Sequence, residues 1–124
     1  MAFPLDRCIF NATSTGTGSF VVASNVTGYQ TPAQAGAVDA AVYKYAAQTV
    51  DSGGTVLQWE VGYGAYATGT VTQARTTILY SSNSNLVVNF STVPQVMITA
   101  LSNDLHIFGW PAPISFMGAA SIFQ

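Results

Sequence analysis

Hydrophobic and polar residues alternate along this chain in short stretches that are separated by turn-forming residues. Gly, Asn, Ser and Pro are concentrated in the separators, for example around residues 25–28 and in the loop 30–36. The stretches have the β-branched and apolar content of strands, and they are 19–24 (SFVVAS), 55–61 (TVLQWEV), 76–80 (TTILY), 86–90 (LVVNF) and 96–101 (VMITAL). Short strands at this spacing predict an all-β fold, a small antiparallel β-sandwich or barrel.

Residues 38–50 fit two different elements. Their alanines suit a helix that begins after Pro32. The same residues also alternate as a strand would, with Lys44 on one face and Tyr43 and Tyr45 on the other. We favour the strand, because residues 51–54 (DSGG) then supply a hairpin turn into the strand at 55–61.

Glycines and short polar side chains predict three irregularities in the middle of the chain. Gly62 and Gly64 predict a break or a bulge after the strand at 55–61. Residues 65–71 contain a second glycine-containing turn. Residues 81–85 (SSNSN) predict a turn whose side chains hydrogen-bond locally.

The end of the chain differs from the rest. Residues 105–124 (LHIFGWPAPISFMGAASIFQ) carry no full charge, and two prolines and two glycines disfavour a regular helix or a central strand. We therefore predict a β-domain at 1–102 and an extended, apolar C-terminal arm at 103–124. Because exposed aromatic residues favour aggregation, the arm is expected to pack on its own domain or, as we favour, in a groove of a neighbour. The predicted assembly interface consists of Phe108, Trp110, Phe116 and Phe123.

Charge is unusually scarce. Charged residues make up 6% of the chain, against about 25% in a typical soluble domain. This scarcity favours a surface that is largely covered by other subunits, although hydroxyls and amides alone could also keep the chain in solution. The three cations are Arg7, Lys44 and Arg75, far apart in sequence, so neither nucleic acid nor a membrane surface is an expected partner.

Cysteine usage and hydropathy give no sign of export or membrane insertion. Cys8 is the only cysteine, which excludes an internal disulfide and predicts a small buried hydrophobic residue. The first ten residues lack the basic and apolar regions of a signal peptide. No apolar run approaches the ~20 residues of a membrane helix.

The residues that usually carry catalysis do not form a recognisable constellation. His106 is the only histidine, and it lies beside Asp104 in the predicted arm, where a packing role is favoured over catalysis. The five acids are scattered and form no close pair, and no zinc or calcium ligand pattern is present. We therefore expect no enzyme, no cofactor and no metal site.

Trp59 and Glu60 are adjacent and permit two interpretations. An exposed Trp beside an acid can stack on a sugar. In a strand, however, the two side chains point to opposite faces, and we favour Trp59 in the core, with Glu60 paired with Arg75 or facing solvent.

The ordered motifs between residues 5 and 100 resemble a small β-module that recurs in tailed-bacteriophage structural genes. They are WEVGYGAY at 59–66, ARTTIL at 74–79, SSN at 81–83 and VNFS at 88–91. The opening residues Asp6-Arg7, TGTG at 15–18 and Gly28-Tyr29 also fit. Residues 33–47 and the C-terminal arm lie outside the resemblance.

The resemblance implies a virion component that is assembled in the cytoplasm of a host bacterium. The leading expectation is a non-enzymatic, tail-associated protein, such as a fibre, a fibre attachment or a tail-tip component. The alternative is a capsid decoration or cement protein on the phage head. Both imply contact with other virion proteins and a homo-oligomer, a trimer or a larger ring. A third option is a host-glycan-binding module, which would need Trp59, Tyr63 or Tyr66 to be exposed.

Overall fold

The computed structural model describes residues 4–13 and 15–101, and these residues form seven β-strands. The strands are β1 (Cys8–Ala12), β2 (Phe20–Asn25), β3 (Val42–Val50), β4 (Val56–Ala67), β5 (Thr72–Gln73), β6 (Thr77–Ser81) and β7 (Gln95–Ile98). Every pairing between them is antiparallel. The all-β prediction is therefore confirmed.

The strands form one sheet that closes on itself. Its order is β3-β7-β1-β2-β5-β4-β6, and a further pairing joins β3 to β4. That pairing makes a ring of six strands, so the sheet is a small barrel, with β6 attached along β4. Within this ring each of the six strands has a neighbour on both sides, which leaves β6 as the edge strand.

The hairpin of β3 and β4 is the largest unit in the barrel. It pairs Val42 with Ala65 at one end and Val50 with Val56 at the other. Asp51 sets the turn, because its Oδ1 accepts hydrogen bonds from the N–H groups of Gly53 and Thr55, both at 2.9 Å. The strand prediction for residues 38–50 is confirmed from Val42 onward, and the turn prediction for 51–54 is confirmed.

Alternation along the strands sorts side chains between the barrel interior and an outer face. The interior is closed by aromatic and aliphatic residues from five strands and from the loop after β6, and they include Phe10, Phe20, Tyr43, Tyr45, Tyr66, Val88, Phe90, Val96 and Ile98. Cys8 is also buried, as its sequence context predicted. The ring of Phe20 meets that of Tyr45 edge-on, with centroids 5.2 Å apart.

Gly62 and Gly64 do not break β4, which runs unbroken from Val56 to Ala67. They lie opposite Tyr45 and Tyr43, respectively, in the β3–β4 pairing. A Cβ on Gly62 would lie 2.2 Å from the Thr77 carbonyl oxygen and 2.9 Å from the Tyr45 hydroxyl. The predicted irregularity is confined to the pairing with β6, whose register shifts between Val61 and Gly62. Because they have no side chain, these glycines leave space for the neighbouring strand β6 and for the large tyrosine side chains of β3.

The predicted strand at 86–90 is wrong: only Phe90 in this stretch makes a bridge, with Gly16. Its backbone groups are bound by side chains instead of by a neighbouring strand. The N–H of Val88 donates to the Glu60 carboxylate, and the Val88 carbonyl accepts from Arg75. The Leu86 carbonyl accepts from the Ser81 hydroxyl.

The remaining strand and turn predictions are confirmed in outline. Strands are present at β2, β6 and β7, and turns at 68–71, directly after β4, and at 82–85. Tyr80 is 62% exposed, because it lies opposite Val61 and so shares the outer face. Strands β1 and β5 were not predicted.

The close approach at Gly64 predicts a specific loss of stability. A Cβ there would lie 2.3 Å from the Ala74 carbonyl oxygen, a backbone atom that cannot rotate away. We expect Gly64→Ala to lower the free energy of unfolding by about 1–3 kcal/mol, measured by denaturant titration. Gly69→Ala is the matched control, because a Cβ at Gly69 would meet nothing within 4 Å. Equal losses in both variants would contradict this account.

Candidate functional site

Glu60 lies inside the barrel, fully buried, and both of its carboxylate oxygens are occupied. Oε2 accepts from the Tyr45 hydroxyl at 2.6 Å and from Arg75 Nε at 2.8 Å. Oε1 accepts from Arg75 Nη2 at 2.5 Å and from the Val88 N–H at 2.8 Å. A buried carboxylate is tolerated only with this degree of pairing and hydrogen bonding.

Arg75 also donates hydrogen bonds to carbonyl oxygens of two loops. Its Nη1 donates to the carbonyls of Gly16 and Gly18, and its Nη2 also donates to that of Val88 at 2.6 Å. Its Cζ lies 4.7 Å from the ring centroid of Phe20. The guanidinium therefore connects the loop before β2 and the loop after β6 to Glu60 of β4. The planar guanidinium of Arg can donate several hydrogen bonds at once, as it does here.

These contacts confirm the predicted pairing of Glu60 with Arg75 and reverse the predicted faces. Glu60 is in the interior, and Trp59 is on the outer face with 38% of its surface exposed. The expectation that Trp59 fills the core is therefore wrong. The reason is that Glu60 shares a face with Gly62 and Gly64, which face inward to accommodate the tyrosines of β3.

The Tyr45 hydroxyl is held as a donor by its surroundings. Burial raises its pKa above the usual value, and the hydrogen bond to Glu60 and the negative charge of that residue raise it further. Burial also raises the pKa of the Cys8 thiol, to about 11. A thiol of such high pKa carries little thiolate at neutral pH, so Cys8 has the character of a packing residue.

The other acids with described contacts accept hydrogen bonds from loop residues. Asp39 accepts from the N–H and the hydroxyl of Thr68, and Asp51 caps the β3–β4 turn. Among residues 4–13 and 15–101, no three His, Cys, Asp or Glu side chains form a group that could hold a metal ion. Within the same part of the chain, no helix is long and apolar enough to cross a membrane.

The outer face contains a row of apolar residues that crosses four strands. Val61 of β4 is opposite Ala46 of β3, Ala46 is opposite Met97 of β7, and Met97 is opposite Ile9 of β1. We call these four residues the apolar row. All of them are half-buried or exposed, although the corresponding interior row is fully buried.

A second row with polar side chains runs beside the apolar row. Trp59 is opposite Gln48, and Gln48 is opposite Gln95. Between the two rows lies an open groove of about 490 Å³, to which Val56 and the backbone side of Ala47 also contribute. Ala46 contributes only a methyl group to the lining, beside the larger side chains of Trp59 and Met97. None of the residues lining the groove is charged.

The predicted interface residues Phe108, Trp110, Phe116 and Phe123 lie outside the described residues, as does His106. Of the aromatic residues considered for sugar contact, Tyr66 is buried and Tyr63 is half-buried. Trp59 alone of the three is exposed. The sequence did not indicate the groove, because the apolar row forms only when β1, β3, β4 and β7 lie side by side in the sheet.

Comparisons of the chain with protein-family models, with curated proteins and with solved structures find no significant match.

The buried ion pair predicts a large and asymmetric cost of mutation. Arg75→Met leaves the Glu60 carboxylate buried without its cation, and we expect a loss of about 3–5 kcal/mol in the free energy of unfolding. Arg7→Met is the matched control, because Arg7 is exposed and donates to the Gly28 carbonyl; its loss is expected to stay below about 1 kcal/mol. Adding Glu60→Gln to Arg75→Met should recover part of the stability, and strictly additive losses would contradict the pairing.

The environment of Tyr45 predicts a loss of stability at alkaline pH. Because its pKa is raised in the folded protein above the unfolded value of 10.0, the unfolded chain releases this proton first. The stabilisation is therefore complete below pH ~10 and falls as pH rises further, by up to about 1.4 kcal/mol per pH unit. Tyr45→Phe should lower stability at neutral pH by about 1–3 kcal/mol and make the alkaline decline shallower. Denaturant titrations from pH 7 to 11 measure both effects, and an unchanged alkaline slope would argue against this role.

Proposed function

We propose that this chain is a non-enzymatic structural subunit of a tailed-bacteriophage virion that assembles with copies of itself through its outer face. The leading place for it is the tail, as a fibre, a fibre attachment or a tail-tip component. The observation that carries the proposal is the apolar row with its groove, on a barrel with few charges.

The chemistry of the outer face supports a protein partner. Four adjacent strands present Val61, Ala46, Met97 and Ile9 in one continuous row. Trp59 and Met97 at the sides of the groove are 38% and 39% exposed. Aromatic residues and Met are enriched, and charged residues depleted, at the centres of protein interfaces. A contiguous apolar patch of this kind is typical of an interaction site.

The interior also supports a structural role. Among residues 4–13 and 15–101, the buried carboxylate is that of Glu60, and it is saturated by Arg75, Tyr45 and the Val88 N–H. A general acid or base needs contact with a reacting group, and Glu60 has no accessible surface. The cost of burying this pair is consistent with a role in specifying shape.

The phage setting comes from the motif series between residues 59 and 91, which resembles modules of virion proteins. A capsid decoration or cement protein is the alternative setting, since a small self-associating barrel would suit symmetric sites on a phage head. Gold-labelled antibodies against this chain, applied to intact virions, distinguish tail from head. Absence of the protein from purified virions would contradict both settings.

A host-glycan-binding module is a second candidate function, and one observation favours it. Trp59 is exposed and lies in the same cross-strand row as Gln48 and Gln95. An aromatic face beside amide donors and acceptors suits a sugar ring. Binding on a glycan array that Trp59→Ala abolishes, while the barrel stays folded, would support this candidate over self-assembly.

Self-assembly predicts a specific response to a charge in the groove. We expect the full chain to sediment as a homo-oligomer, a trimer or a larger ring. Met97→Glu should raise the dissociation constant of this oligomer by about tenfold or more, because it places a carboxylate in a desolvated contact. Analytical ultracentrifugation over a dilution series measures the change.

Leu86→Glu is the matched control, since Leu86 is 63% exposed but does not line the groove. Its oligomer should dissociate at the same concentration as the unmodified one. Circular dichroism of both variants verifies that the barrel is intact. A full chain that remains monomeric at the highest concentration tested would overturn the proposed assembly.

A further inference from the structure

The volume and the lining of the groove on the outer face fit an occupant that is apolar, uncharged and long enough to follow the groove. Its volume of about 490 Å³ lies in the range of sites that enclose a bulky apolar group. Its lining is neutral, with apolar side chains and two glutamines. A charged occupant would lose hydration there without gaining an opposite charge.

A segment with that chemistry follows the described part of the chain. Residues 105–124 carry no Asp, Glu, Lys or Arg, and they hold three phenylalanines and Trp110. Leucine, isoleucine and methionine side chains are spread among them. Gln48 and Gln95 in the groove can hydrogen-bond an extended backbone, and Trp59 offers a ring for aromatic packing.

The direction of β7 indicates which copy receives the segment. The strand passes the groove from Gln95, opposite Gln48, to Met97 in the apolar row. It then continues to Thr99, whose N–H donates to the Lys44 carbonyl one row further on. Each pair of residues advances the chain by about 6.7 Å. The chain therefore runs away from the Trp59 side of its own groove, and a return would require a reversal.

We infer that the groove between Trp59 and Met97 is the receptor for the C-terminal segment, residues 105–124, of a second copy of this chain. The inference rests on the proposed self-assembling function and names its contact. Each subunit gives a segment and receives one, so the contact is heterologous. Such contacts close into a ring or continue as a fibre, depending on the rotation between neighbours.

Photo-crosslinking of the full chain tests this inference. Met97→benzoylphenylalanine places a reactive group in the groove, and Leu86→benzoylphenylalanine places one on an exposed turn outside it. Unlabelled chains that carry this group are mixed and reassembled with chains labelled with heavy nitrogen. Because the reactive group captures only what lies in contact with it, peptides from 105–124 should be captured from position 97 and not from position 86. A large share of these products should join a light chain to a heavy one.

A second variant makes the contact specific. Trp110→Ser in the heavy partner should reduce capture from position 97 by about tenfold, as expected for the loss of a buried aromatic anchor. Leu86→Ser in the partner should leave capture unchanged, because Leu86 is 63% exposed and lies outside both the groove and residues 105–124.

The outcomes separate this inference from the proposed function. Capture of other regions of a second copy, in an intact oligomer, would overturn the inference and leave self-assembly standing. Capture of 105–124 only within single chains would overturn it as well, because the groove would then be filled by its own segment. A monomer in sedimentation would contradict the proposed function itself.

Discussion

The structure depends on one interaction, the ion pair of Glu60 with Arg75 in the middle of the barrel. Two opposite charges out of contact with water are stable only if every oxygen and donor has a partner. Here the partners come from β3, from the loop before β2 and from the loop after β6. The pair therefore connects segments that the sheet alone would leave independent, and it replaces the ladder that residues 86–90 would otherwise need.

The same pair determines what the outside of the barrel presents. In β4 the interior face carries Glu60, Gly62, Gly64 and Tyr66, and strand alternation then places Trp59, Val61 and Tyr63 outside. The glycines are required inside because the strand opposite them brings in Tyr43 and Tyr45. In β4, an interior face of this kind thus leaves Trp59 and Val61 to face outward, where both line the groove.

The apolar character of the outer face is the basis of the assembly that we propose. A free barrel would be expected to bear polar and charged residues on its outer face. In this one the outward row across four strands is apolar, and the nearby amides of Gln48 and Gln95 supply hydrogen-bonding groups without charge. Because the six strands of the ring are paired on both sides, the association that we propose uses the outer face and not strand addition to the ring.

The sequence by itself determined the fold class, most strands and the hairpin turn at 51–54, because alternation and turn residues are local signals. It offered the pairing of Glu60 with Arg75 only beside a solvent-exposed Glu60, and the structure decided between the two. It did not determine which face of β4 is buried. Trp59 and Glu60 satisfy the same alternation in either orientation, and hydrophobicity favoured the wrong one.

Strand β5, with two residues, carries too short a pattern to recognise. The groove was also beyond the sequence, since Ile9, Ala46, Val61 and Met97 become neighbours only through the register of four strands. Tertiary structure decided these points, because the desolvation of a buried charge and the space needed by two tyrosines outweigh the burial of one Trp.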